Sequence, residues 1–450
     1  MTVADQVAAS VRRHGSVPVD VVVAQALYAR PGGFYESGGS AGGRGGHFLT
    51  SPEVGPLFGA VVARALDSWW TSMGRPDPFV VVEAGAGPGT LCRSVLAADP
   101  ACVPALRYVL VERSDAQRGS HREVIRLEEP ALAFAPLDQD TEQPVPGAPE
   151  GPICVSLAEL PRVAGPVVVL ANELLDNLPF GLAQRHAGRW HEVRVTERVW
   201  ADGRPAHGTP GRSVGGPVTR ADGAPRAPGA PTAHAAGAGA GPSAGTGVAP
   251  GAPGETPCPP PGGGPATAAH GAGSGFAEVL VPLDDERARL LDRLAPDAGD
   301  GARVPLQAAA RRWLQDALAL AAPGGRVAAF DYATTTAALA SRPQDEWLRT
   351  YRGHARGGHY LDGLGAQDVT CEVALDQLAL VRPPAADRGQ AEWLRSHGLD
   401  ELVDAARRAW DERASVGDLA ALAARSRVTE AAALTDPAGL GAFRVVEWTA

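Results

Sequence analysis

Residues Val80 to Leu91 read VVVEAGAGPGTL, and the fold is decided in this stretch. The opening valines form a short, wholly apolar run of the kind found in strands buried on both faces. Gly85, Gly87 and Gly89 follow Glu83, and Thr90 stands where a helix over Leu91 to Ala98 should start. Glycines in that position let the backbone turn sharply and lie close against a ligand. A tight strand-to-helix turn that holds nothing is the competing reading of the segment taken alone.

The spacing is G-x-G-x-G with an acid two residues ahead of the first glycine, whereas a dinucleotide fold prefers G-x-G-x-x-G. An acid here suits an ammonium group, which points to S-adenosylmethionine (SAM), a ligand with no pyrophosphate to place at a helix N-terminus. The next strand, Tyr108 to Glu112, ends in Glu112, where an acid commonly accepts hydrogen bonds from ribose hydroxyls. A solvated strand-end charge is the alternative. The strand Val167 to Ala171 then runs into Asn172-Glu173-Leu174-Leu175-Asp176-Asn177. Glu173 and Asp176, three apart at an expected helix start, can face the same way and grip a guanidinium by its fork of donors. Capping that helix is their other reading.

Outward from these motifs, Ile153 to Leu157 and Arg326 to Tyr332 are further apolar runs, and Leu306 to Ala322 is an apolar-striped helix. The alternation gives an α/β fold with a doubly wound parallel sheet. Thr50-Ser51-Pro52-Glu53 has a hydroxyl cap, an early proline and a first-turn acid, so one helix should run from there towards Trp70. The glycine-laden loop Gly38 to Gly46 should lie over the site as a flap. From Ala201 to Gly275 about two-thirds of residues are Gly, Ala or Pro, a composition that reads as disordered. It separates two strand-like pieces, Arg189 to Thr196 and Phe276 to Val281, as an overgrown hairpin tip. The expected organisation is therefore a helical and flap region over 1–78, a core over 79–200 and 276–450, and the insert over 201–275.

The net charge of −10 leaves no general basic field for a polyanion, so nucleic acid is not an expected partner. Every fixed positive side chain is arginine, since the sequence contains no lysine. Five scattered cysteines show no zinc or disulfide spacing and fit a reducing cytoplasm. No apolar run reaches the ~18 residues of a membrane span, and the N-terminus lacks a signal-peptide core. Tyr351, His354 and His359 form a polar cluster without metal-ligand company, which suits loop packing or substrate lining.

Taken in order, ALYARPGGFY (26–35), GGHFLTSPEVGPLFG (45–59), VVEAGAGPGTL, YVLVERS (108–114), ANELLDNLPF (171–180), FDYA (330–333), YRGHARGG (351–358), GAQDVT (365–370) and LTDPAGLGAFRVV (434–446) resemble the MidA-like SAM-dependent methyltransferases. That family includes the mitochondrial complex I assembly arginine methyltransferase. The resemblance spans nearly the whole chain except the insert. It implies a Rossmann-like class I methyltransferase sheet with an N-terminal helical extension and a small β insertion shaping the substrate cleft. It also implies that Glu83, Gly85, Gly87 and Gly89 hold the methionine end of SAM, with Thr90 beside them, and that Glu112 holds the ribose. Asn172 and Glu173 would line the methyl-transfer side, and Thr50, Ser51, Pro52 and Glu53 would border the cofactor. Leu174 and Asn177 replace an aromatic and a small residue of the family pattern. The implied activity is methyl transfer to arginine of a protein substrate, for which the carboxylate reading above makes Glu173 and Asp176 the expected catalytic pair. A small-molecule methyltransferase and a non-catalytic SAM-binding assembly factor are the alternatives.

Overall fold

A computed structural model describes residues 1–38, 50–134, 150–163, 165–198, 275–353 and 355–450, all within one compact unit. The expected flap beyond Gly38, the glycine-rich insert up to residue 274 and His354 lie outside them.

The strands of the main sheet, numbered in chain order, are β1 (Phe79–Ala84), β2 (Leu106–Val111), β3 (Ile153–Leu157), β4 (Val167–Asn172), β5 (Arg326–Asp331), β6 (Ala386–Gly389) and β7 (Arg444–Thr449). Their order across the sheet is β6-β7-β5-β4-β1-β2-β3. The first five strands of this sheet pair in parallel, and the closing β7 runs antiparallel to both β5 and β6.

Successive side chains of a strand point to opposite faces, and the valine runs serve two cores accordingly. Val81, Leu110, Val168, Leu170 and Phe330 pack with the helices Pro56–Ser72 and Thr90–Ala97 and with Trp393. Val80, Val82, Val109, Val169 and Val327 pack on the other face with Leu314, Ala317 and Ala321 of the helix Ala308–Ala321. Burial on both sides explains why these strands read as unbroken apolar runs.

A second, antiparallel sheet carries the strands Gly181–His186, Arg189–Glu197, Phe276–Pro282 and Arg303–Leu306. Arg189–Glu197 and Phe276–Pro282 pair with Glu197 opposite Phe276, and the Arg198 amide donates to the Gly275 carbonyl at 2.8 Å. The insert therefore leaves from and returns to adjacent strands. The N-terminal helices Val3–His14 and Val19–Tyr28 pack their valines against Leu182, Val193 and Val195 of this sheet.

Two helix boundaries differ from the sequence reading. Leu306 belongs to a strand paired with Gly181, so the helix begins at Ala308. The helix expected from Thr50 towards Trp70 is two, Ser51–Val54 and Pro56–Ser72, broken at Gly55. The break falls on Gly55-Pro56, because proline has no amide to donate and disfavours helical backbone at the residue before it. The new start is secured by Glu430, a buried acid from far along the chain. Its carboxylate accepts from the Leu57 amide at 2.9 Å, capping the second helix, and a Cβ at Gly55 would stand 2.2 Å from it. Thr50 occupies the N-cap position but its hydroxyl makes no capping bond.

Candidate cofactor and substrate site

The crevice opens where strand order reverses, with β2 on one side of β1 and β4 on the other, which is where open α/β sheets bind ligands. Ala84 and Ala171 are register partners, so the glycine turn after β1 and the Asn172-Glu173 turn after β4 leave the sheet side by side.

Gly85, Gly87 and Gly89 all have left-handed φ, at 70°, 52° and 84°. The turn they make is tied down at both ends. The Gly85 and Ala86 amides donate to the Val111 carbonyl at 2.8 and 3.1 Å, and the Gly87 amide donates to Glu112 Oε2 at 3.0 Å. Glu112, one residue past β2, also accepts from the Ser114 amide at 2.8 Å through its other oxygen. A Cβ at Gly85 would press on Leu174, whereas one at Gly87 would meet nothing within 4 Å. Gly87 thus faces the open crevice.

Glu83 is buried on β1, where it accepts from the Tyr108 hydroxyl at 2.8 Å. Desolvation outweighs that bond and pushes its carboxyl up to about 8. Glu173 has φ +51°, unusual for a residue with a side chain, and its amide donates to the Phe330 carbonyl at 2.8 Å. This conformation turns its carboxylate towards the N-terminal segment. There Oε1 accepts from the Ser51 amide at 2.9 Å and from Asn172 Nδ2 at 3.2 Å. Both contacts fall on one oxygen of a residue that lines the crevice. Burial, with Asp176 and Glu53 adding repulsion, raises the Glu173 carboxyl to about 8.

The lining includes Glu83, Gly85, Gly87, Thr90, Glu112, Thr50, Pro52, Asn172 and Glu173. Three residues singled out from the sequence stand apart. Gly89 is the N-cap of the helix Thr90–Ala97 and faces Ile125 and Leu110. Ser51 is buried behind the wall, its hydroxyl on Gln390 at 3.1 Å. Asp176 does not share a face with Glu173. The segment forms a single 3-10 turn, Leu175–Asn177, in place of a helix start, and it carries Asp176 into the interior beside Asp331 and Asp368. Asp331 Oδ2 accepts from the Leu175 amide at 2.8 Å, and burial lifts the Asp331 carboxyl to about 8 and the Asp368 carboxyl to about 7. Asp176 is raised as well, by burial first and by those two acids next.

Several lining residues were not singled out as site residues from the sequence. Tyr28 and Tyr35 stack at 5.6 Å, with Arg113 4.8 Å over the Tyr28 ring. The Tyr28 hydroxyl donates to the Asn177 carbonyl at 3.0 Å and that of Tyr35 to Asp368 at 3.2 Å. Trp313 also lines the crevice, as does Glu53, which the sequence reading sets beside the cofactor with Thr50 and Pro52. The strongest charge feature is the balance of its walls: Glu53, Glu83, Glu112 and Glu173 against the single Arg113. His359 packs on Tyr360 at 4.5 Å, away from this lining. Among the described residues no group of three potential ligands could hold a metal ion, and no helix is long and apolar enough to cross a membrane.

A mostly parallel sheet with an acid-glycine turn, a second acid after the next strand and an acidic crevice defines an α/β fold built to receive a cationic, nucleoside-bearing ligand. Residues 61–386 match the family described as "Putative S-adenosyl-L-methionine-dependent methyltransferase", and the chain belongs to that family. It is similar to the mitochondrial protein arginine methyltransferase NDUFAF7 homologue of Drosophila melanogaster, with 28% identity over 207 residues, covering 43% of this chain and 44% of that protein. It is also similar to the mouse (Mus musculus) protein arginine methyltransferase NDUFAF7, with 32% identity over 164 residues, covering 34% of this chain and 36% of the other. The chain thus spans less than half the length of these curated relatives. Its fold is that of a solved Burkholderia thailandensis protein bound to S-adenosyl-homocysteine, at a TM-score of 0.67 and 21% identity over 100% of this chain and 92% of that one.

Proposed function

We propose that the crevice binds SAM and presents its methyl group to an arginine of a protein substrate. The observation that carries this reading is the wall of four glutamates against one arginine: burial raises the Glu83, Glu112 and Glu173 carboxyls, and a cationic cofactor or acceptor beside them favours their ionised forms. The residues present fit the cofactor: Gly87 leaves open space beside the glycine turn, and Asn172 Oδ1 is a buried acceptor with no protein donor. Glu83 would hold the ammonium end, Glu112 the ribose hydroxyls, and Thr90, Thr50 and Pro52 would border the rest. When bound, SAM supplies an electrophilic methyl group on a sulfonium.

The protein's task is to align the acceptor in a dry pocket and to hold the proton it sheds. A guanidinium has a pKa above ~12, so removing its proton beforehand is costly, and a carboxylate that takes it during transfer lowers the barrier. Glu173, which lines the crevice at the turn after β4 and takes both of its hydrogen bonds on one oxygen, serves as that carboxylate. Glu53, which lines the same crevice, strengthens the negative field around the acceptor. Asp176, buried behind the lining, acts only through its repulsion, which raises the Glu173 carboxyl. The relatives' printed name, protein arginine methyltransferase, favours arginine over a small-molecule acceptor. The core over 79–200 and 276–450 would supply the site, with 1–78 closing it and the insert over 201–275 as an appendage. A cytoplasmic location fits the four described cysteines, all of them free.

Calorimetry with SAM and a turnover assay on Glu173→Gln test the reading together. Binding near the wild-type value with turnover lost supports it; unchanged turnover removes Glu173 from the mechanism, and absent binding removes the cofactor.

A further inference from the structure

Behind the glycine turn, on the side away from the crevice, lies a histidine that no step above uses. His121 belongs to the helix Asp115–Val124 and has no solvent exposure. Its Nε2 lies 2.7 Å from the Gly87 carbonyl oxygen and its Nδ1 2.8 Å from Ser156 Oγ on β3. A Cβ placed on Gly89 would touch its ring edge at 3.5 Å, so the imidazole also backs the third glycine.

Gly87 is held at both polar groups, its amide by Glu112 and its carbonyl by His121. We infer that His121 is a positioning residue for the cofactor site, donating from Nε2 to the Gly87 carbonyl and so fixing the left-handed turn in its ligand-ready form. A carbonyl can only accept, so the ring proton must sit on Nε2, and Nδ1 then accepts from the Ser156 hydroxyl. Burial lowers the imidazole pKa and favours this neutral, single-proton form. A turn with three left-handed glycines is intrinsically loose, because glycine loses the most freedom on ordering. Gripping the middle peptide from both sides places that ordering cost in folding and removes it from ligand binding.

This inference rests on the cofactor reading, and its test separates the two. The probe is S-adenosyl-homocysteine, titrated calorimetrically into the full chain. His121→Phe keeps the ring volume but has no donor, and should weaken binding about tenfold, the effect of losing roughly one well-placed hydrogen bond. His121→Gln, whose side-chain amide can donate to the same carbonyl, should stay within about threefold of wild type, and the KM for the acceptor should not move in either variant. Equal binding by wild type and His121→Phe overturns the inference, as does a loss in His121→Gln as large as in His121→Phe. If His121→Phe does not fold, the wild-type protein still decides: nitrogen NMR of the ring should show the proton on Nε2, and a proton on Nδ1 alone overturns the clamp. Failure of the wild-type chain to bind the probe would refute the cofactor reading, while the ring tautomer would still be readable.

Discussion

Replacing Gly87 by alanine separates the backbone demand of the turn from the space it leaves for a ligand. Gly87 has φ +52° and nothing within 4 Å of where a Cβ would stand, so alanine meets no protein atom. Its cost to folding is then the left-handed strain alone, about 1–2 kcal/mol. Gly188 offers a matched control. It has φ +74°, the same empty surroundings, and lies in the turn between Gly181–His186 and Arg189–Glu197, outside the crevice lining. Gly188→Ala should lose the same ~1–2 kcal/mol by thermal or urea unfolding. Only in Gly87→Ala does the added methyl project into the ligand's volume, a crowding worth about 1–3 kcal/mol, or roughly 5- to 150-fold in Kd. Calorimetric titration of SAM into both variants reads the difference. Equal affinities in the two variants would refute the assignment of this turn to the cofactor.

Other outcomes follow from the same geometry. The Glu173 carboxyl, raised by burial to about 8, must be ionised to accept a proton, so turnover should rise with pH through that region. The residual rate of Glu173→Gln should lack this limb, and an unaltered profile would exclude Glu173 as its source. Asp331 binds its proton more tightly folded than unfolded, because its native pKa, about 8, lies above the ordinary 3.8. The unfolded chain therefore releases that proton first, and stability falls as pH rises from about 4 to about 8. Asp331→Asn should raise the melting temperature at pH 8.5 and change it little at pH 4; a pH-independent effect would contradict the assignment. Glu430→Ala strands the buried Leu57 amide and should cost about 1–3 kcal/mol of stability, read by urea unfolding, with SAM affinity kept. Loss of affinity without loss of stability would show that Glu430 belongs to the site and not to the helix break.

What could be read from the sequence had local causes. Val80 to Val82 and Val167 to Leu170 announce doubly buried strands because both faces need apolar side chains. The glycine turn and Glu112 are legible because a parallel sheet fixes where strands end, and the two motifs prove to be joined through the Gly87 amide. Most of what escaped depends on partners far along the chain. The helix break at Gly55-Pro56 is a local signal that the reading from Thr50 passes over, whereas the cap that Glu430 gives the Leu57 amide leaves no trace around Thr50. The positive φ of Glu173 and the 3-10 turn after it send Asp176 inward, against a spacing rule that assumes a regular helix. Tyr28, Tyr35 and His121 reach the site through tertiary packing and look locally like ordinary helix or loop residues.

The most direct test of the central claim is methyl transfer itself. The full chain, incubated with isotopically methyl-labelled SAM and a cell extract, should place the label on arginine residues of protein, detected by mass spectrometry of peptides. The same incubation with a Glu173→Gln chain that still binds SAM should leave arginine unlabelled. Label confined to small molecules, no label at all, or arginine labelling that persists in Glu173→Gln would contradict the account.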